Sequence, residues 1–285
     1  MSDYKNRKKL IHRLIFGILI LMVAISAAGV VNRYLQDKRA EEEYRRLAEL
    51  ARQTTEAATE ASMETVETQE ETEPETEAPY VSPIDFEALA GVNPDVIGWI
   101  RIPGTNVDYP IVQTGDNDKY LHTSFEGEES VSGAVYLDFE SDSDMMGFNN
   151  ILYGHNMKNG SMFKDIVKYK EQSYFDAHKY FEIYTPERTI RLKAISCYYA
   201  KAEPIVRKTR FKTRESYEAF VKEMIKPCAW YEMPEFPIDS LYTLVTCSYE
   251  VNDARTILYA VEVDEDGNMV RGIKEFPNSG TEGKP

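Results

Sequence analysis

Three residues of this sequence combine a reactive side chain with a position suited to acyl transfer, and the first is Cys247. It ends the β-rich run Tyr242–Cys247, just before the polar turn 248–253. A side chain at a strand end is held rigidly and still reaches solvent. The chain resumes as a β-rich run from Ala254, so a short hairpin is expected to bring Arg255 back beside Cys247. A guanidinium there offers fixed hydrogen-bond donors to an oxyanion formed when the sulfur attacks a carbonyl.

A third residue must move protons, because arginine stays protonated in proteins. His155 is the best candidate. It lies in the segment NNILYGHN, where Gly154 breaks the β-rich run Ile151–Tyr153, so the histidine also falls at a strand end. Imidazole both accepts and donates protons near neutral pH. A cysteine, a histidine and an arginine together indicate acyl transfer through a thioester.

These segments resemble the sortase family. The letters TLVTC ending at Cys247 match the family's TLxTC signature, and Arg255 follows on the next strand as it does there. The letters YGHN around His155 match the family's histidine segment. The similarity is to class B sortases and covers essentially the whole globular domain. It includes GWIRIPG (98–104), YPIVQ (109–113), NDKYL (117–121), GSMF (160–163) and a helix over 213–226 inserted between two late strands.

The resemblance implies an eight-stranded β-barrel with helical insertions, mainly β and of the α+β class, preceded by one transmembrane helix. It implies a cysteine transpeptidase outside a Gram-positive cell that cuts a C-terminal sorting signal of a secreted protein after Thr. The protein is then held as a thioester and passed to an amine of a cell-wall peptide. By this resemblance Cys247 attacks, His155 transfers protons and Arg255 stabilises the oxyanion. The resemblance implies no cofactor and no metal, and these substrate-binding residues: Asn117, Leu121, Ile205, Val206 and Thr246.

Two other functions stay open. Some sortases polymerise pilins through a pilin lysine, and nothing in this chain separates that acceptor from a cell-wall amine. A non-catalytic exported binding module on a sortase barrel would be expected to lack the cysteine, the histidine or the arginine, and all three are present. Cell-wall L,D-transpeptidases and papain-like hydrolases fit less well, because here the histidine precedes the cysteine by 92 positions and the cysteine ends a strand.

Composition argues against several other classes of function. The formal net charge of −15 argues against a nucleic-acid partner, which needs clustered Lys and Arg. Three cysteines without Cys-x-x-Cys spacing and four scattered histidines argue against a disulfide framework and a structural zinc site. Cys197 is expected to be structural, because a lone cysteine in a strand is usually a small buried hydrophobe. Cys228, just past the end of a predicted helix, is also expected to be structural. Four acids in one turn are interpreted as solvated surface rather than a metal loop: Asp138, Glu140, Asp142 and Asp144.

Many short β-like runs, separated by turn signals, are predicted to position these residues. Helices are fewer, and the clearest has apolar residues at i, i+3, i+4 and i+7 with Pro227 ending it. The predicted strands are Val96–Ile102, Ala134–Asp138, Ile151–Tyr153, Tyr180–Thr185, Ile190–Tyr199, Tyr242–Cys247 and Ile257–Val263. The predicted helices are Ile84–Ala90, Ser161–Lys170 and Thr213–Lys226.

The N-terminal part predicts a membrane anchor. Basic residues crowd positions 1–13, and residues 14–31 form an 18-residue run without a charge, near the lower limit for a membrane-spanning helix. The positive-inside rule then leaves the N-terminus in the cytoplasm and the catalytic domain outside. A cleaved signal peptide is the alternative, and the uncleaved anchor is favoured because the run exceeds the usual apolar region of a signal peptide.

Between anchor and domain, residues 32–79 predict a juxtamembrane helix followed by an acidic linker. The helix is expected to about Arg52, and 54–79 holds nine Glu, seven Thr and no Lys or Arg. Such a segment repels itself and buries little, so it is predicted to be a disordered spacer. The catalytic domain is predicted over 80–277, with an unstructured tail at 278–285.

Overall fold

The computed structural model describes residues 2–64, 80–201, 203–248, 254–272 and 274–276, with side chains from residue 12 to 52 in the N-terminal helix. The described strands close into one barrel in the order β1-β2-β3-β4-β7-β8-β6-β5. The predicted eight-stranded barrel with helical insertions is therefore confirmed. The strands are β1 (Val96–Arg101), β2 (Asp108–Val112), β3 (Val135–Leu137), β4 (Asn149–Tyr153), β5 (Tyr180–Tyr184), β6 (Thr189–Lys201), β7 (Leu241–Ser248) and β8 (Ala254–Glu262).

The helices lie outside the barrel or cover its ends. They are α1 (Ser2–Glu64), α2 (Phe86–Val92), α3 (Lys119–His122), α4 (Gln172–Ala177) and α5 (Arg214–Ile225), with 3₁₀ helices at Phe163–Lys170 and Pro204–Arg207. In α5, Thr213 caps the N-terminus by accepting a 3.2 Å bond from the amide of Ser216. The apolar face of α5 is buried against the outer surface of the barrel, as the periodicity predicts.

Two parallel pairings shape the barrel, and the one between β4 and β7 matters most for the site. Asn149 pairs with Leu241 at one end and Tyr153 with Val245 at the other. Parallel neighbours need a long connection, and here it contains β5, β6 and α5. Because both strands run the same way, the residues that follow Tyr153 and Val245 emerge at the same end of the barrel.

Strand β2 is not apparent from the sequence pattern, because Pro110 lies inside it. Proline cannot donate to a strand ladder and usually argues against a central strand. Here β3 pairs with β2 only at Ile111 and Val112, so position 110 lies where β3 does not reach. The lack of an amide hydrogen at Pro110 therefore costs no hydrogen bond between β2 and β3.

Helix α1 joins the apolar N-terminal run to the barrel without a break. It is the one helix in the described residues that is long and apolar enough to cross a membrane, and its side chains over 14–31 are exposed. Farther along, Tyr44, Leu47 and Ala51 are buried in the main hydrophobic core. The Tyr44 hydroxyl donates a 2.7 Å bond to the carbonyl of Gly133.

The predicted disordered spacer is wrong over its first part, because α1 continues to Glu64. Alanine and glutamate are strong helix formers, and they extend a helix that is already nucleated. Residues 65–79, where the rest of the spacer is predicted, lie outside the described residues, as does the predicted tail.

Candidate active site

Cys247 and Arg255 are directly opposite each other in the antiparallel ladder of β7 and β8. Side chains of such a pair lie on the same face, with Cβ atoms about 4.5–5.5 Å apart. Both residues are half-buried, so each is held by the strands and still reaches solvent. The hairpin geometry expected from the sequence therefore places the two residues side by side on one face, and the guanidinium of Arg255 donates to the carbonyl of Ala254 at 3.1 Å.

His155 lies two residues beyond Tyr153 in β4, and Cys247 lies two residues beyond Val245, the partner of Tyr153 in β7. The amide of Gly154 donates to the carbonyl of Val245 at 3.2 Å, which continues the pairing past the strand. Neighbouring strands are about 4.8 Å apart, so the histidine and the cysteine emerge side by side.

Gly154 allows the chain to turn into this position. A Cβ atom at residue 154 would come within 2.6 Å of the ring of Phe163, which is fully buried. Only glycine permits this close approach, because a buried ring has no room to move aside. The glycine therefore fixes the path of the chain into His155.

The imidazole of His155 is oriented by main chain. Its Nε2 atom lies 2.8 Å from the carbonyl oxygen of Leu121, in the last turn of α3. A carbonyl only accepts, so Nε2 carries the proton and Nδ1 of the neutral ring holds the lone pair. Leu121, a predicted substrate-binding residue, is thus brought to the site, through its main chain at this contact.

Two other predicted substrate-binding residues are engaged inside the protein. The side-chain amide of Asn117 donates to Asp138 at 3.0 Å, and its oxygen accepts from the amide of Phe139 at 3.1 Å. The side chain of Thr246 is only 2% exposed, because it alternates with Cys247.

A cavity of about 210 Å³ opens next to Arg255. Val206 lines this cavity. Ile205, its neighbour on the 3₁₀ helix Pro204–Arg207, is exposed. The predicted residues Ile205 and Val206 are therefore both close to the site, and Val206 lines it. The cavity is lined by Tyr153, Glu203, Val206, Arg207, Val245, Arg255 and Ile257.

A second cavity, of about 370 Å³, opens on the side of His155. Part of its wall comes from α1, through Arg33 and Gln36, just past the apolar run. Glu129 and Lys158 add charges of both signs to the wall. The reactive residues thus lie between two openings, one on the arginine side and one on the histidine side.

The prediction that Asp138 is solvated surface is wrong, because its side chain is fully buried. It accepts bonds from the Tyr153 hydroxyl at 2.9 Å and from the Nε atom of Arg207 at 3.0 Å. Burial, and then the nearby charge of Asp138, raise the pKa of Tyr153. Sequence reasoning missed Asp138 and Arg207, since 69 positions separate them and the other acids of the turn are at least partly exposed. The described residues contain no group of three or more His, Cys, Asp or Glu placed to hold a metal.

The other two cysteines are buried, as expected. Cys197 is 2% exposed and Cys228 is 3% exposed, and neither forms a disulfide. Burial raises the pKa of the Cys197 thiol. Cys247 is thus the accessible thiol of the three.

The profile of the sortase domain matches residues 100–263, which is more than half of the chain. The chain belongs to the sortase family. Sortases are cysteine transpeptidases that act on sorting-signal substrates, and the relatives found make this chain a class B-like sortase.

Sortase B of Staphylococcus aureus is 26% identical over 246 residues, covering 85% of this chain and 93% of that protein. The crystal structure of Clostridium perfringens sortase B is 34% identical, with a TM-score of 0.59, covering 63% of this chain and all of that one. A substrate complex of S. aureus sortase B is 25% identical with a TM-score of 0.65, covering 81% of this chain and 99% of that one. These matches show the family and the barrel fold. The roles proposed for individual residues are argued from the geometry of the site.

Proposed function

We propose that this sortase is a membrane-anchored transpeptidase that cleaves a C-terminal sorting signal after Thr and transfers the protein to an amine of the cell wall. The observation that carries the proposal is the direct pairing of Cys247 with Arg255, with His155 emerging beside them. A nucleophile, a proton carrier and an oxyanion donor at one strand end are the requirements of acyl transfer.

In the first half-reaction Nδ1 of His155 takes the thiol proton of Cys247, and the sulfur attacks the Thr carbonyl carbon of the signal. The guanidinium of Arg255 donates to the oxygen that becomes negative. The peptide C–N bond then breaks, and His155 gives a proton to the departing amine. The protein is left as a thioester on Cys247.

In the second half-reaction an acceptor amine attacks the thioester carbonyl. His155 takes the proton that the amine loses, the C–S bond breaks, and His155 passes that proton to the departing sulfur, which restores the Cys247 thiol. Because Nε2 is bonded to the carbonyl of Leu121, Nδ1 is the atom that exchanges protons. That bond also holds the ring in one orientation through both steps.

The two cavities suit the two substrates. We assign the sorting signal to the cavity beside Arg255, whose wall includes Val206, Val245 and Ile257. The acceptor amine then approaches from the cavity beside His155, the residue that must deprotonate it. Asn117, Leu121, Ile205 and Thr246 remain predicted contacts of the signal.

The apolar run of α1 supports a single-pass anchor with the catalytic barrel outside the cell. The basic residues that precede the run favour a cytoplasmic N-terminus. The partners of the enzyme would then be secreted proteins with a sorting signal and a cell-wall peptide that carries the amine.

The test uses a soluble chain that begins at Asn32, after the apolar run. It is incubated with a panel of quenched five-residue sorting peptides and a small amine acceptor. Intact mass is followed for the wild type and for Cys247→Ala. Cleavage after Thr, with an acyl adduct on the wild type alone, is the expected result. Absence of cleavage and adduct with every peptide, together with a thiol that resists alkylation, would overturn the proposal. A pilin lysine peptide among the acceptors separates pilus assembly from wall anchoring.

A further inference from the structure

Asp138 is a buried carboxylate that joins three segments around the signal cavity. Its Oδ2 atom accepts from the side chains of Asn117, Tyr153 and Arg207 at 2.9–3.0 Å. Its Oδ1 atom accepts from the amide of Glu140 at 3.0 Å. Asn117 precedes α3, Tyr153 ends β4 and Arg207 ends the 3₁₀ helix, so one side chain connects elements far apart in sequence.

The 3₁₀ helix Pro204–Arg207 projects from the barrel and carries the cavity wall. Its residue Val206 lines the cavity, while Ile205 is exposed. Asn149 holds the main chain here, by donating at 3.1 Å to the carbonyls of Val206 and Lys208. The ion pair of Arg207 with Asp138, at 3.0 Å, ties the end of the helix to the barrel from another direction.

The two ends of this ion pair differ in exposure. The side chain of Asp138 is 0% exposed and that of Arg207 is 44% exposed. A buried carboxylate cannot be solvated by water, so it depends on hydrogen-bond donors from the protein. Loss of the Arg207 guanidinium would leave Asp138 with one donor fewer, and the pair is therefore held firmly. Glu140 offers a contrast, since it lies 3.7 Å from the same guanidinium but its side chain is 51% exposed. A pair of that kind contributes little, because water screens it.

We propose that Asp138 is a positioning residue for sorting-signal binding. Through Arg207 it sets the place of Val206, and through Tyr153 it fixes the facing wall of the same cavity. It does not touch the reacting atoms. This inference rests on the proposed function, because it assigns the cavity to the signal.

The test compares Arg207→Gln with Glu140→Gln, which removes the exposed partner of the same guanidinium. For Arg207→Gln we expect the KM of the sorting peptide to rise about tenfold, with kcat changed less than about twofold. The KM of the acceptor amine stays at the wild-type value, and Glu140→Gln behaves as the wild type. An unchanged peptide KM in Arg207→Gln, or an equal rise in both variants, would overturn the inference.

A second variant, Asp138→Asn, tests the other end of the pair. We expect the double variant with Arg207→Gln to raise the peptide KM no more than Asp138→Asn alone, because both changes break one contact. Additive effects would contradict the pairing. If Asp138→Asn does not fold, Arg207→Gln decides, since it leaves the other donors of Asp138 in place.

Amide hydrogen exchange separates this inference from the proposed function. Residues 203–208 are expected to exchange faster in Arg207→Gln than in Glu140→Gln, whether or not any peptide is turned over. Equal exchange in the two variants would refute the tether. A wild-type enzyme that cleaves no peptide, with the exchange difference present, would instead refute the proposed function alone.

Discussion

The side-chain amide of Asn156 donates a hydrogen bond of 2.8 Å to the carbonyl oxygen of Cys247. The bond connects the residue after the histidine to the main chain of the nucleophile. The ladder between β4 and β7 ends at Tyr153 and Val245, so this bond extends the connection beyond the strands. It holds the ends of two strands that 91 positions separate in sequence.

Loss of this bond is expected to slow catalysis without preventing substrate binding. Asn156→Ala removes the hydrogen bond that holds His155 and Cys247 in a fixed relative position. Small misplacements of reacting groups cost about 10- to 100-fold in rate. We expect kcat for peptide cleavage to fall by that factor with KM nearly unchanged. Asn159→Ala is the matched control, because that exposed amide bonds only to nearby Ser161 in the described contacts. Equal losses in the two variants would refute the role of Asn156.

Thiol labelling is expected to distinguish Cys247 from the other two cysteines. In the native protein a charged alkylating reagent should modify Cys247 alone, because Cys197 and Cys228 are buried and burial raises the pKa of the Cys197 thiol. In denaturant all three should react. Intact mass and peptide mapping give the answer, and Cys247→Ala should take no label when native. Native labelling of Cys228 would show that the helix end before it opens readily.

Replacement of Arg255 is expected to affect the chemical step. Removal of one oxyanion donor typically lowers kcat by about 10²- to 10³-fold, and Arg255→Gln should fall in that range. The rate of acyl-enzyme formation in a single turnover measures it. Arg191→Gln is a suitable control, since Arg191 is an exposed partner of Glu265 on the surface. A loss below about threefold for Arg255→Gln would exclude the arginine from oxyanion stabilisation.

The docking of α1 is expected to contribute to the stability of the barrel. Leu47 is 2% exposed and packs in the main core, so Leu47→Ala should lower the free energy of unfolding by about 2–5 kcal/mol. Leu35→Ala, at a position 46% exposed, is the control and should change it by less than about 0.5 kcal/mol. Urea unfolding of a soluble chain that begins at Asn32 measures both.

The same reasoning predicts that a chain beginning at Tyr80 is less stable than one beginning at Asn32. Without α1 the ring of Tyr109 loses its edge-to-face partner Tyr44, whose centroid lies 5.1 Å away. A matching urea midpoint for the two chains would show that the docking contributes nothing.

The sequence was sufficient where the interactions are local. Cys247 and Arg255 are separated by one hairpin, so alternation and a turn signal place them opposite each other. The helix α5 follows from its apolar period and its cap. The strand-end position and the chemistry of imidazole indicated His155, and the resemblance to sortases supplied the barrel. The parallel pairing of β4 with β7 cannot be obtained from periodicity.

The sequence was insufficient where single side chains connect distant segments. Asp138 looks like the other acids of its turn, and only the folded chain shows that Arg207 and Tyr153 meet it. Tyr44, Leu47 and Ala51 share a helical spacing that marks a buried face, but the surface that buries them is the barrel itself. The acidic composition after Thr54 suggested disorder, although a helix already formed can continue through such residues.

Because α1 is one continuous helix, it connects the apolar run to the barrel as a rigid spacer and not as a flexible tether. From Val31, the end of the apolar run, to Tyr44 there are 13 residues, which span about 20 Å of helix. With the run in a bilayer, the height of the barrel above the lipid is set by those helical turns and not by the acidic spacer. The opening beside His155, whose wall includes Arg33, then lies close to the headgroups. An enzyme anchored in this way would work within a thin layer at the outer face of the membrane, and its substrates would have to be brought to that layer.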